Sequence, residues 1–129
     1  MAMRIAIDTN CYRDFCEDDA NARAVLQSAD RILMPLPVVA ELRAGFACGT
    51  LARENERVLS MFLDRPRVGI LMPDEQTTFH YGRLYAQLRN QGTPVPTNDL
   101  WIAALVTQHR LTLLTRDDHF KHLPQIPCV

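Results

Sequence analysis

Met3-Arg4-Ile5-Ala6-Ile7-Asp8-Thr9-Asn10 decides how the rest of this chain is read. Its first five residues form a short, apolar, isoleucine-rich run, the pattern of a strand covered on both faces. The run stops on a carboxylate. Three further stretches repeat the apolar pattern: Arg31-Ile32-Leu33-Met34, stopped by Pro35 and Pro37; Val68-Gly69-Ile70-Leu71-Met72, stopped by Pro73; and Leu111-Thr112-Leu113-Leu114-Thr115. Helical patterns fill the gaps between them. Val58, Leu59, Phe62 and Leu63 make one stripe. Tyr81, Leu84, Tyr85 and Leu88 make another, entered from a cap at Asp74 and ended by Asn90-Gln91-Gly92-Thr93-Pro94. A further helix starts near Pro37, and Leu100 to Val106 is apolar on nearly every side, which predicts a helix buried between other elements. Short apolar strands alternating with helices predict an α/β fold of three layers, a central parallel sheet covered by helices on both faces. Ligands gather at the carboxyl ends of strands in such sheets. Asp8 and Asp117 each follow a strand, so the rule puts them on one rim.

The 129 residues suit one domain spanning 1–129, and 47% hydrophobic with 22% charged content is ordinary for a globular protein. A formal net charge of −1 argues against bulk electrostatic capture of nucleic acid, though not against a local basic site. Lys121 is the only lysine, so almost all positive charge is arginine, which grips phosphate in two-point geometry better than lysine does, a bias that genome composition accounts for equally well. Arg13, Arg43 and Arg116 are candidate phosphate contacts, though each reads first as a plain surface residue. Cys11, Cys16, Cys48 and Cys128 show neither C-x-x-C nor zinc-type spacing and read as reduced, mostly buried thiols. No leader-like or membrane-length apolar stretch is present, so a soluble cytoplasmic protein without membrane association is expected.

Four carboxylates sit beside or inside apolar elements. Asp8 closes the first strand, where it could cap the following helix as Thr9 or Asn10 also could. Glu41 interrupts Pro37-Val38-Val39-Ala40-Glu41-Leu42, sharing a helix face with Val38 and Gly45. Asp99 precedes the most apolar helix, where an acid complements the helix dipole; Thr97 and Asn98 are competing caps. Asp117 and Asp118 follow Leu113-Leu114-Thr115-Arg116; spacing from the strand favours Asp117, and Arg116 can pair with either. Carboxylates brought together repel unless a cation satisfies them, and Mg²⁺ or Mn²⁺ suits oxygen donors.

Ile7-Asp8-Thr9-Asn10, Val39-Ala40-Glu41-Leu42, Asn98-Asp99-Leu100-Trp101-Ile102-Ala103-Ala104 and Leu114-Thr115-Arg116-Asp117-Asp118-His119-Phe120, in that order and spacing, resemble the PIN-domain ribonucleases. The likeness is strongest to the VapC-type toxins of bacterial toxin–antitoxin pairs. It implies acidic metal ligands at Asp8, Glu41, Asp99 and Asp117, and polar helpers at Thr9 or Asn10 and at Thr115. It also implies a Mg²⁺- or Mn²⁺-dependent ribonuclease that cleaves an RNA substrate, assembles as a homodimer and is silenced by a cognate antitoxin packed into a groove over the acidic site. Asn10 and Thr115 would orient water or a ligand carboxylate. No Ser/His or Cys/His nucleophile pair competes with a metal-assisted mechanism. His119 and His122 read as packing or solvated residues, and Trp101, Phe79 and Tyr85 as core. Two other readings fit collected acids: a phospho-acceptor regulatory domain, which wants a lysine after a late strand and finds none, and a non-catalytic PIN-like RNA-binding or assembly module.

Overall fold

Ile5, Ala6 and Ile7 are all fully buried. Consecutive strand residues point to opposite faces, so three in a row without exposure mean that both faces of strand β1 (Arg4–Ile7) are covered. The computed structural model describes residues 2–129. β1 is flanked by β2 (Arg31–Pro35) on one side and β4 (Thr112–Leu114) on the other, with β3 (Val68–Leu71) outside β2. All three pairings are parallel, with Ile5 opposite Ile32 and Thr112. The four strands are flanked by six helices: α1 (Thr9–Cys16), α2 (Ala20–Ser28), α3 (Leu36–Cys48), α4 (Ala52–Leu63), α5 (Glu75–Gln91) and α6 (Thr97–His109). A 3-10 turn (Asp118–His122) follows β4. Beyond it the tail returns along the open edge of β4, where Leu113 N–H donates to the Pro127 carbonyl at 2.8 Å and Val129 N–H to the Leu113 carbonyl at 3.0 Å. An edge that is paired in this way is no longer a template for association.

The local chemistry accounts for most boundaries. Pro35 and Pro37 end β2 and begin α3, because proline fits the first helical turn, whose N–H groups have no helical partner. Asp74 starts α5 through a reciprocal capping box: its carboxylate accepts from Thr77 N–H at 3.1 Å while Asp74 N–H donates to Thr77 Oγ1 at 2.9 Å. Gly92 ends that helix at φ +70°, a left-handed conformation that glycine adopts without a steric cost. In α6, Leu100, Ile102, Ala103, Ala104, Leu105 and Val106 are buried, as its all-round apolarity predicts.

Several expectations are corrected. Neither Thr97 nor Asn98 caps α6: Pro96 occupies the cap position without a side-chain bond, and Thr97 lies inside the helix. Of the four thiols only Cys11 is buried; Cys16, Cys48 and Cys128 are exposed and all four are free. Phe79 and Tyr85 are more than half exposed, because the buried face of α5 runs through Thr77, Leu84 and Leu88. Trp101 is half-buried and packs on Tyr81 with ring centroids 4.6 Å apart. Helix α2 left no readable stripe, since it buries only Ala22 and Leu26. Among the described residues no helix is long and apolar enough to cross a membrane.

Candidate active site

The chain leaves β1 toward β2 on one side and comes back to β4 on the other, so the crevice beyond the carboxyl ends of β1 and β4 is a topological switch point. Asp8 and Thr115 meet there. Asp8 caps α1, accepting from Cys11 N–H on Oδ1 at 2.9 Å, and accepts from the Thr115 hydroxyl on Oδ2 at 2.5 Å. The Thr115 oxygen in turn accepts from Asp117 N–H at 3.0 Å. One hydroxyl thereby ties the loop after β4 to the carboxylate after β1. Asp8 is 5% exposed, so capping and a place in the crevice are compatible roles for it.

Glu41, half-buried on α3, accepts from the Thr9 hydroxyl at 3.2 Å. Asp99 lies in the first turn of α6, and Asp117 stands at the N-terminus of the 3-10 turn. Asp8, Glu41, Asp99 and Asp117 line one pocket of about 290 Å³ together with Thr9, Asn10 and Arg13. Asp118 points elsewhere and pairs with Lys121 at 2.8 Å. Arg116 turns back to Asp14 instead of to either neighbouring aspartate. Arg43 binds Glu56 on α4.

His119 is the residue that sequence reasoning set aside and the fold brings in. Its Nδ1 lies 2.8 Å from Asp99 Oδ2 and 3.0 Å from Asp117 Oδ1. The tight 3-10 turn folds the ring back over the two acids. Its place two residues after Asp117 was the available signal, but an i+2 offset faces away on an α-helix and gave no warning. Partial desolvation works against the imidazolium, but the carboxylates of Asp99 and Asp117 prevail and raise its pKa. Asp99 is held above the usual carboxylate range by burial first, then by the charge of Asp117, with Glu41 adding to it and the His119 hydrogen bond opposing. The Cys11 thiol beside Asp8 is pushed up to about 12 by burial and by that carboxylate, so it is inert as a nucleophile.

The donor set fits a hard divalent cation. Four carboxylates face the pocket, and donor atoms of Asp99, Asp117 and His119 lie within 4.8 Å of one another. The carboxylates outnumber the cationic groups beside them, Arg13 and His119, and Asp99 already resists ionisation. Oxygen-rich sites of that kind favour Mg²⁺ or Mn²⁺.

A family model described as the PIN domain matches residues 5–126. Ribonuclease VapC1 of Haemophilus influenzae (strain R2866) is 33% identical over 88 residues, which are 68% of this chain and 64% of that protein. Ribonuclease VapC2 of Rickettsia felis is 30% identical over 107 residues, covering 82% of this chain and 78% of that protein. The VapBC-1 structure from nontypeable Haemophilus influenzae superposes with a TM-score of 0.85 at 28% identity, covering 98% of this chain and 97% of the other. VapBC-5 from Mycobacterium tuberculosis, a member of the VapBC family of toxin–antitoxin systems, gives 0.77 at 25% identity, covering 98% and 97%.

Proposed function

The chain belongs to the PIN-domain family, and on that premise we propose that it is a metal-dependent ribonuclease, the toxin of a type II toxin–antitoxin pair. One observation carries the reading: carboxylates from the end of β1, from α3, from the start of α6 and from the end of β4 line a single pocket. Burial and mutual repulsion make such a cluster costly, so a function that uses the pooled charge accounts for it better than stability does. The relatives named as VapC ribonucleases support the ribonuclease part of the reading.

Asp8, Glu41, Asp99 and Asp117 would hold Mg²⁺ or Mn²⁺. The bound ion supplies water that ionises near neutral pH and positive charge for the phosphoryl and leaving oxygens. Asp8 is kept in place from both oxygens, by Cys11 N–H and by Thr115, and Glu41 accepts on one oxygen from the Thr9 hydroxyl. Thr115 also fixes the Asp117 backbone, so Asp8 and Asp117 cannot separate without breaking a shared hydroxyl contact. Asn10 lines the pocket and offers both an amide donor and an acceptor to water or substrate. The His119 Nδ1 lies against both Asp99 and Asp117, at 2.8 and 3.0 Å.

A cognate antitoxin, a homodimeric state and a cytoplasmic location belong to the same proposal. The VapBC neighbours support the first of these. A cleft of about 500 Å³ between α1, α2, α4, β2 and β3, floored by the buried Leu26 and Phe62 and edged by Val58, Asp18, Arg23, Arg65 and Arg67, is the place on this chain that would take a partner helix.

The test is cleavage of total cellular RNA with Mg²⁺ or Mn²⁺, by wild type, Asp8→Asn and Asp99→Asn. Wild type should cut, with EDTA and either substitution abolishing it. Activity that survives EDTA or both substitutions refutes the nuclease reading. In cells the same substitutions should relieve growth arrest, and arrest that persists contradicts the toxin role.

A further inference from the structure

Three arginines are close in sequence to the acidic residues, and the fold separates them. Arg116 is committed to Asp14 in two-point geometry, at 2.8 and 3.1 Å. Arg43 is committed to Glu56 at 2.8 Å. Arg13 lines the acidic pocket, is exposed, and has no ion pair or side-chain hydrogen bond among the described residues. A guanidinium that lines a pocket of four carboxylates and bonds to none of them is available to another ligand.

Its position is built by two facing helices. Thr9 on α1 and Glu41 on α3 touch through a hydrogen bond of 3.2 Å. Arg13 is four residues beyond Thr9, and Gly45 four beyond Glu41, so each lies one turn farther along the same faces. There they meet: a Cβ on Gly45 would stand 3.0 Å from Arg13 Nη2, tighter than ordinary contact. Glycine is a poor residue for the interior of a helix, and a Cβ at this place would move the guanidinium, the far end of a flexible side chain, by a few tenths of an ångström.

We propose that Arg13, seated on Gly45, is a substrate-binding residue that grips a phosphate of the RNA strand at the mouth of the acidic pocket. The assignment rests on the nuclease reading and deepens it. Even with a divalent cation among the carboxylates, the chain's net charge of −1 gives no general attraction for a polyanion, and Arg13 adds a local positive charge at the pocket. Arginine suits the task because its planar fork meets two phosphate oxygens at once.

The experiment uses a labelled single-stranded RNA that carries a cut site mapped on total cellular RNA. Steady-state cleavage is compared for wild type, Arg13→Ala and Arg13→Lys, and binding is followed against salt in the non-cleaving Asp99→Asn background with and without Arg13→Ala. Arg13→Ala should raise KM roughly 10- to 100-fold, the usual weight of a charged hydrogen bond, with a much smaller change in kcat. It should flatten the dependence of log K on log salt by about 0.7, one phosphate contact on a single strand. Arg13→Lys should restore that slope while recovering only part of the affinity, since it replaces a fork by a point charge. Arg13→Ala that keeps both the wild-type KM and the wild-type slope overturns the assignment, as does a loss confined to kcat. A wild type that cleaves while Arg13→Ala matches it refutes Arg13 alone; a wild type inert toward all cellular RNA refutes the nuclease reading beneath it.

Discussion

Asp99→Asn should stabilise the metal-free protein while abolishing its activity, because the side chain stays isosteric while one of several crowded charges disappears. Donor atoms of Asp99 and Asp117 lie within 4.8 Å of each other. Two like charges at that limit repel by about 3.5 kcal/mol at an effective dielectric near 20, and by about 0.9 kcal/mol in bulk water. The site is a partly open rim, with the Asp99 side chain 16% and the Asp117 side chain 27% exposed, and His119 offsets part of the repulsion. A net gain of about 1 kcal/mol is expected, or a Tm higher by about 3–5 °C for a chain of this length. The sign follows from linkage. With the Asp99 pKa raised above its ordinary 3.8, the folded state holds the proton more tightly, so wild-type stability falls as pH rises through that window. The advantage of Asp99→Asn should therefore be full at pH 7 and vanish as pH falls toward about 4. Excess Mn²⁺ should reverse the order, since a ligand at a hundred times its Kd adds about 2.7 kcal/mol to the species that binds it. Differential scanning in EDTA and in Mn²⁺ measures both halves. An Asn variant that melts below wild type in EDTA, or equal gains from Mn²⁺ for both proteins, refutes the reasoning.

Thr115→Val keeps shape and removes the hydroxyl that serves Asp8 and Asp117; a loss of about 1.5–3 kcal/mol in urea unfolding is expected, and a neutral result would mean that water replaces it. The His119 pKa is raised, so its stabilising contribution in EDTA is present below about 6.5 and is lost as pH rises through the folded value. The melting difference between wild type and His119→Gln should shrink accordingly, and a difference that does not change with pH contradicts the pairing with Asp99 and Asp117. Gly92→Ala places a Cβ on a left-handed residue with nothing within 4 Å, so conformation alone should cost about 1–2 kcal/mol; an unchanged Tm would show that α5 can end another way.

The strands and the four acids were legible because each is signalled locally. A β-run closed by a carboxylate names its own end, and the burial of α6 follows from apolarity on every side. What was not legible depends on contacts between distant segments. Tyr85 shares a stripe with Leu84 and Leu88 yet lies outside, because α5 packs on α6 through a narrower face than the stripe implied. Free thiols give no periodic signal, and three of the four proved exposed. Arg13, Arg43 and Arg116 are equivalent as letters; only their folded neighbours Gly45, Glu56 and Asp14 tell them apart. His119 is near Asp117 in sequence, but its contact with Asp99, twenty residues away, is a property of the turn after β4.

The strand order explains why the acids converge instead of merely falling at similar heights. With β2 on one side of β1 and β4 on the other, the helices that follow β1 and β2, the helix that precedes β4 and the 3-10 turn that follows it approach the same crevice from different directions. No single helix can fill the gap at the ends of β1 and β4. Helices α3 and α6 pack together across it, bringing Glu41 and Asp99 to the rim that Asp8 and Asp117 reach from the strands. Two of the acids are therefore fixed by sheet register and two by helix packing. Repacking α3 against α6 should disturb Glu41 and Asp99 together while leaving the Asp8–Thr115–Asp117 linkage intact, because that linkage depends only on β1 and β4 remaining paired.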